Sequence, residues 1–208
     1  MKNNINYKET NSEVILQIKK PSLRYLNEFT RLKCGSDLLR SKVFPNAKEI
    51  TESMGAYNAL RTHLQGDFPL GDDKITCVVV GDGTTPRTGA LFAYRTNWNV
   101  VSIDPEMDRD FMKPGDTLEE WQDIERLWVA RKKIEEVSLD HIVGKLLIVC
   151  VHSHAKLSEC VKKRPSSPKT IINLPCCVKP DLNIKPDISY EDYAIHSEKR
   201  IVEIYKDV

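Results

Sequence analysis

The chain has 208 residues, 40% of them hydrophobic and 29% charged, with a formal net charge of +1. That length buries one good core, and the near-balanced charge excludes a global field that would drive the protein onto nucleic acid or an anionic membrane. Cysteines at 34, 77, 150, 160, 176 and 177 lack the spacing of a disulfide framework, no apolar run nears the ~20 residues of a membrane span, and no leader pattern opens the chain, so an intracellular protein, cytoplasmic or nuclear, is expected.

The first dozen residues are polar and expected to be mobile, and residues 13–18 alternate weakly as a short strand. Pro21 and Ser22 open a helical pattern through Leu23, Leu26, Phe29 and Leu32. Residues 46–64 predict a second helix, with Ile50, Met54, Tyr57, Leu60 and Leu64 at helical spacing. Residues 1–70 are therefore read as a helical extension packed on a core of residues 71–208. It would serve either as a lid or substrate-recognition segment or as cover for one sheet face.

A Gly- and Asp-rich turn leads into residues 77–80, a run rich in valine that suits a buried parallel strand. Gly81 and Gly83 follow. Without a Cβ they can take positive φ and bring main-chain N–H groups close to a ligand, and Gly89 would let the next helix pack tightly. Pro86 stiffens the loop. A second strand over 99–103 ends at Asp104, which follows Gly81 at the distance usual for an acid that accepts hydrogen bonds from ribose hydroxyls.

Pro114 and Gly115 mark a loop within a charged segment. Residues 127–137 suit a strand or a helix by periodicity, and their place in the order favours a third strand over 127–130. Residues 142–151, with the most apolar run of the chain, predict a central strand. A helix over 152–163, a loop over 164–168 and a strand over 170–174 follow. The tail, rich in Ile, Val and Tyr over 193–205, is expected to supply a final strand or an antiparallel pair.

The glycine-rich loop after the first core strand, the acid ending the second, and the Asn173-Leu174-Pro175-Cys176-Cys177 segment together resemble the class I S-adenosylmethionine (SAM) dependent methyltransferases, over about residues 75–177. The resemblance implies an α/β, Rossmann-like methyltransferase fold, with a mostly parallel central sheet and helices on both faces. It implies SAM as cofactor, held by Gly81, Asp82, Gly83, Thr84, Arg87, Thr88 and Gly89, with Asp104 on the ribose. One departure is plain: the family commonly has an acid two residues before the first glycine, and here that position is Val79. Asp82 is expected to compensate. A catalytically degenerate protein that binds partners is the alternative, and a nucleotide-dependent oxidoreductase is disfavoured by the loop spacing.

In open α/β sheets ligands sit beyond the carboxyl ends of the strands. Four predicted strand ends should therefore converge: 81–89, Asp104, His152 with His154, and 173–177. The Asn-Leu-Pro-Cys-Cys segment resembles both the acceptor motif of amino-methyltransferases and the Pro-Cys sequences of nucleic-acid methyltransferases, in some of which the cysteine attacks the base. A positioning role for Asn173 and Pro175 is favoured over Cys176 as a nucleophile. One of His152 and His154 is expected to accept a proton or touch substrate, the bland alternative being a histidine held at the start of a helix. These histidines with Cys176 and Cys177 offer zinc ligands, but adjacent cysteines tend to point apart, and no metal is expected. Basic clusters at 131–133, 162–164 and 199–200 and the Pro-Cys-Cys resemblance favour RNA as acceptor, although such clusters are often solvated faces. Trp98, Trp121 and Trp128 are read as core before base-stacking groups.

Overall fold

Valine- and isoleucine-rich strands alternating with helices set the architecture of the computed structural model, which describes residues 4–10, 13–19, 22–108, 121, 124–163, 168–177 and 180–208. Strands β1 (Asn4–Thr10) and β2 (Glu13–Lys19) pair antiparallel as a separate hairpin. The first of these was expected as a mobile segment; its pairing with β2 explains the difference. Helices α1 (Arg24–Phe29), α2 (Gly35–Arg40) and α3 (Ala47–His63) follow. The central sheet is built from β3 (Ile75–Val80), β4 (Asn99–Ile103), β5 (Leu127–Ala130), β6 (Lys145–Val151), β7 (Lys169–Leu174), β8 (Ile188–Glu191) and β9 (Ile201–Tyr205). Between them lie α4 (Arg87–Arg95), a 3-10 turn at Ile134–Glu136 and α5 (Leu157–Lys162).

The sheet order is β5-β4-β3-β6-β7-β9-β8. Neighbours from β5 to β7 run parallel, and β9 runs antiparallel between β7 and β8. Counted within the sheet this is 3-2-1-4-5-7-6 with the last strand reversed, a mostly parallel α/β sheet with helices on both faces, as the resemblance implied. The order turns back at β3, whose neighbours are β4 and β6, so the crevice beyond Val80 and Val151 is the topological switch point.

Alternate residues of one strand serve opposite faces. Cys77 and Val79 join a core with Tyr25, Leu38, Met54, Tyr57, Leu91 and Phe92, beneath the first four helices. Val78 and Val80 join a smaller core with Ile134, Leu139, Leu157 and Cys160, beneath the 3-10 turn and α5. Trp98 and Trp121 are buried, while Trp128 is half-exposed on the outer face near the β5 edge.

α3 explains the weight of the first face. Asn46 caps it by accepting from the Glu49 amide at 3.1 Å, an interaction that stabilises a helix by ~1 kcal/mol. Its buried residues include Thr51, Glu52, Ser53 and Gly55 as well as the apolar stripe, because α1 and the segment after β8 close over its outer side. An added Cβ at Gly55 would stand 2.6 Å from Ile195 Cδ1.

Two sequence expectations shift, and one helix was not expected. The helix predicted over 152–163 begins only at Leu157, since His152 has φ 52° and the chain makes a turn closed by Ala155 N–H donating to Ser153 Oγ at 3.1 Å. α2 has too little periodic sequence to be seen. The tail pair is β8 with β9, so its first strand precedes residue 193. Pro21, the Pro114 and Gly115 loop and residues 164–167 lie outside the described residues. Among those described, no helix is long and apolar enough to cross a membrane.

Candidate functional site

A cavity of about 520 Å³ opens at the switch point, lined by Gly81, Gly83, Arg87, Asp104, Glu106, Lys132, Lys133, Glu135, His152, Ser153, His154 and Lys156 among others. Three of the four strand ends expected to converge do so here. The fourth divides: Asn173 and Pro175 line a separate cavity of about 110 Å³ with Ser153 and Asp181, while Cys177 meets His154.

Close approach decides the glycine positions. Gly81 and Gly83 have φ 76° and 86°, the left-handed region that only glycine enters without strain. An added Cβ at Gly81 would lie 2.2 Å from Ser153 Oγ, so the loops after β3 and β6 meet face to face only because that atom is missing. The turn in turn aims the Gly83 N–H at Asp104.

Asp104 binds the loops together and still faces the cavity. Its Oδ2 accepts from Gly83 N–H at 2.7 Å, and its Oδ1 accepts from Glu106 N–H at 2.7 Å. An ionised carboxylate has about four lone-pair positions, so two remain for hydroxyls of a ligand.

Asp82 corrects an expectation. It is 1% exposed, and its oxygens accept from Thr88 N–H at 2.9 Å, Gly89 N–H at 2.9 Å and Ser102 Oγ–H at 2.8 Å. It therefore caps α4 from beneath and offers nothing to the cavity, so it does not replace the acid missing at Val79, itself buried in the core. Burial pushes the Asp82 carboxyl up, against the pull of Arg87 and the three donors. Thr88 is fully buried, with Oγ1 2.8 Å from Ser53 Oγ, and Gly89 packs against Ser102 and Leu127. Thr84 is exposed and uses its carbonyl to accept from Asp108 N–H. Of the expected cofactor residues, Gly81, Gly83, Arg87 and Asp104 reach the cavity.

A charged group that the sequence reading missed lies beside the loop. Glu49 Oε2 is 2.8 Å from Arg87 Nε, and Glu52 Oε1 is 3.1 Å from Lys48 Nζ and 3.0 Å from His152 Nδ1. His152 Nε2 lies 2.8 Å from the Lys199 carbonyl oxygen. A carbonyl and a carboxylate only accept, so both imidazole nitrogens carry hydrogen and the ring is a cation. Burial opposes that charge, but Glu52 and the Lys199 carbonyl outweigh it and raise the His152 pKa. Burial likewise opposes ionisation of Glu52, but His152 and Lys48 hold its carboxyl down at about 2. His152 thus has no free lone pair with which to accept a proton, and of the two candidate histidines only His154 is exposed at the cavity wall. The signal for Glu52 was a charged residue inside an apolar helical stripe, invisible to a reading that counted only the apolar positions.

Asn173 is turned toward β9, donating from Nδ2 to Glu203 Oε2 at 2.8 Å. Cys176 Sγ lies 3.5 Å from the His152 carbonyl oxygen. The adjacent cysteines, expected to point apart, do not: their sulfurs are 3.6 Å apart, and Cys177 Sγ is 3.4 Å from His154 Nε2. The chain bends as it leaves β7, and that bend brings both side chains to one side.

Of the basic clusters, Lys132 and Lys133 belong to the cavity wall. Lys162 pairs with Glu159 at 2.7 Å and Arg200 with Glu191 at 3.0 Å, which draws those charges into local ion pairs.

No family model matches the chain, and no curated protein matches its sequence. Among solved structures, one described as the crystal structure of a mutant of MtNAS aligns with a TM-score of 0.44 and 11% sequence identity, covering 88% of this chain and 74% of that one.

Proposed function

We propose that the cavity at the switch point binds SAM and that the protein is a SAM-dependent transferase. The observation that carries this reading is the pairing of Gly83 N–H with Asp104 Oδ2 at the rim of a 520 Å³ cavity. It puts a glycine loop and a strand-end carboxylate where a nucleoside would need them. The fit is supported by Gly81, where a Cβ would strike Ser153 and force apart two loops that wall the cavity. Asp104 would accept from ribose hydroxyls, and Lys132 and Lys156, with Arg87 already paired to Glu49, offer positive charge to a carboxylate. Bound SAM would supply an electrophilic methyl group. The chain's own residues would orient an acceptor beside it, and catalysis would be chiefly proximity and alignment.

RNA is the finer form of this proposal. Its support is Lys132 and Lys133 in the cavity wall together with the Pro175-Cys176-Cys177 sequence. A non-catalytic binding protein is the second reading, favoured by one observation: neither Val79 nor the capped Asp82 provides the acid that holds the methionine end in the resembled family. Incubation with methyl-labelled SAM and separated pools of RNA, protein and small molecules distinguishes them. Label entering RNA supports the full proposal, label entering another pool corrects the acceptor, and binding without transfer supports the second reading.

A further inference from the structure

β6 and β7 are adjacent parallel strands whose ends stand abreast, with Val151 opposite Leu174. The chain beyond each is tied to the other: His152 N–H donates to the Leu174 carbonyl at 2.9 Å, and Cys176 Sγ reaches back to the His152 carbonyl oxygen. Because His152 takes φ 52°, the next residues swing over the end of β7. A ring nitrogen of His154, Cys176 Sγ and Cys177 Sγ consequently lie within 4.8 Å of one another.

Two of these separations match a coordination sphere. Two thiolates bound at ~2.3 Å and an imidazole at ~2.0 Å around a tetrahedral ion stand about 3.5 to 3.8 Å from each other. The Cys176–Cys177 and Cys177–His154 separations are 3.6 and 3.4 Å. A disulfide would need the sulfurs at about 2.05 Å, far inside the distance seen. The ligands are also reachable: His154 and Cys177 are exposed and Cys176 is half-buried, whereas the other four cysteines are buried.

We propose that His154, Cys176 and Cys177 form a zinc-binding site. The mixed sulfur and imidazole set favours a borderline-soft tetrahedral ion over the hard cations that prefer oxygen. Each thiol gives its proton to solvent as its sulfur binds, so one zinc releases two protons and binding strengthens with pH until the thiols are ionised. Three protein ligands leave a fourth position for water or an exogenous ligand, the pattern of a reactive zinc and not of a closed structural one. His154 also lines the switch-point cavity, so that position borders its mouth. The site stands whether or not the cavity takes SAM.

The test uses the full chain, stripped of metal and kept reduced with a non-chelating phosphine, titrated with Co²⁺ and then Zn²⁺. A tetrahedral cobalt spectrum with thiolate charge-transfer absorption, saturating at one ion per chain and displaced by zinc, is expected. Cys176→Ser and Cys177→Ser should each remove about half of the charge-transfer intensity, and His154→Gln should weaken binding while keeping it. Losing even an outer partner costs roughly 10- to 100-fold in affinity, so each loss should reach at least ~10-fold. Should a variant fail to fold, alkylation of the wild-type chain read by mass spectrometry replaces it, with zinc expected to shield Cys176 and Cys177 together. An octahedral cobalt spectrum, a tetrahedral spectrum that survives in the Cys176→Ser/Cys177→Ser double variant, or alkylation unaffected by zinc would overturn the proposal.

Discussion

Glu52 Oε1 stands 3.0 Å from His152 Nδ1, joining α3 to the residue that follows β6 at the switch point. The carboxylate is 1% exposed. With the Lys199 carbonyl holding the other ring nitrogen, His152 is fixed as a cationic strut, and its positive φ sets the path of the loop that carries Ser153 and His154. A residue from the first quarter of the chain therefore shapes the cavity built by the sheet.

Glu52→Gln removes the charge that His152 and Lys48 face. Breaking one side of a buried pair costs ~3–5 kcal/mol, and for a chain of this length about 2–4 °C of melting temperature accompanies each kcal/mol. A fall of roughly 6 °C or more is expected in a thermal melt at neutral pH.

The same pair sets an acid limb. The Glu52 pKa is lowered from 4.5 to about 2 in the folded chain, so its stabilisation is fully present above 4.5 and is lost as the pH falls through about 2. The stability gap between wild type and Glu52→Gln, measured by urea unfolding, should be level near pH 5 to 6, should shrink between about pH 4.5 and 2, and should shrink again above 6.5 as His152, whose pKa Glu52 raises, loses its proton. A gap that widens as the pH falls below 4.5 would contradict the assignment.

Asp104→Asn keeps the size of the side chain and loses its charge. Hydrogen bonds to charged groups contribute ~1.5–3 kcal/mol, so SAM affinity should fall by roughly 10- to 100-fold. Calorimetry on the folded variant checks this, and unchanged affinity would remove Asp104 from the site.

Asp82→Ala should act on stability and spare the ligand. It strips the caps from Thr88 N–H and Gly89 N–H and leaves Ser102 Oγ without its acceptor. Each buried donor left unpaired costs ~1–3 kcal/mol. A marked loss in urea unfolding is expected, with ligand affinity within a few-fold of wild type when measured well below the melting temperature.

Two glycines separate structural from binding effects. Gly144→Ala would put its Cβ 2.2 Å from the Lys74 carbonyl oxygen at φ 91°, at the end of β6 away from the cavity. Gly81→Ala would put its Cβ 2.2 Å from Ser153 Oγ at φ 76°, inside it. Both should lose at least ~1–3 kcal/mol of stability, and only Gly81→Ala should also weaken ligand binding.

The strands of the parallel sheet were legible because each is a short β-branched run bounded by turn residues; β4 and β5 match their predicted spans. α3 was legible from its apolar period and from Asn46 at its cap. What escaped was set by contacts remote in sequence. α2 lacks a full turn-to-turn stripe, and the helix predicted from His152 is displaced by a backbone turn that Glu52 and Lys199 hold in place. The spacing of Gly81, Gly83 and Asp104 brought them to one cavity, as expected. Asp82 looked like part of that set, but the α4 amides and Ser102 draw it under the loop. The orientation of Cys176 and Cys177 depends on a bend that no local pattern announces.

The central claim is that the switch-point cavity is a SAM site. Calorimetric titration of the purified protein with SAM and with S-adenosylhomocysteine, with NAD as control, tests it most directly. Saturable one-to-one binding of either sulfur ligand at micromolar concentration, with no heat from NAD, is the predicted result. A folded protein that binds neither sulfur ligand, or that takes NAD instead, would contradict it.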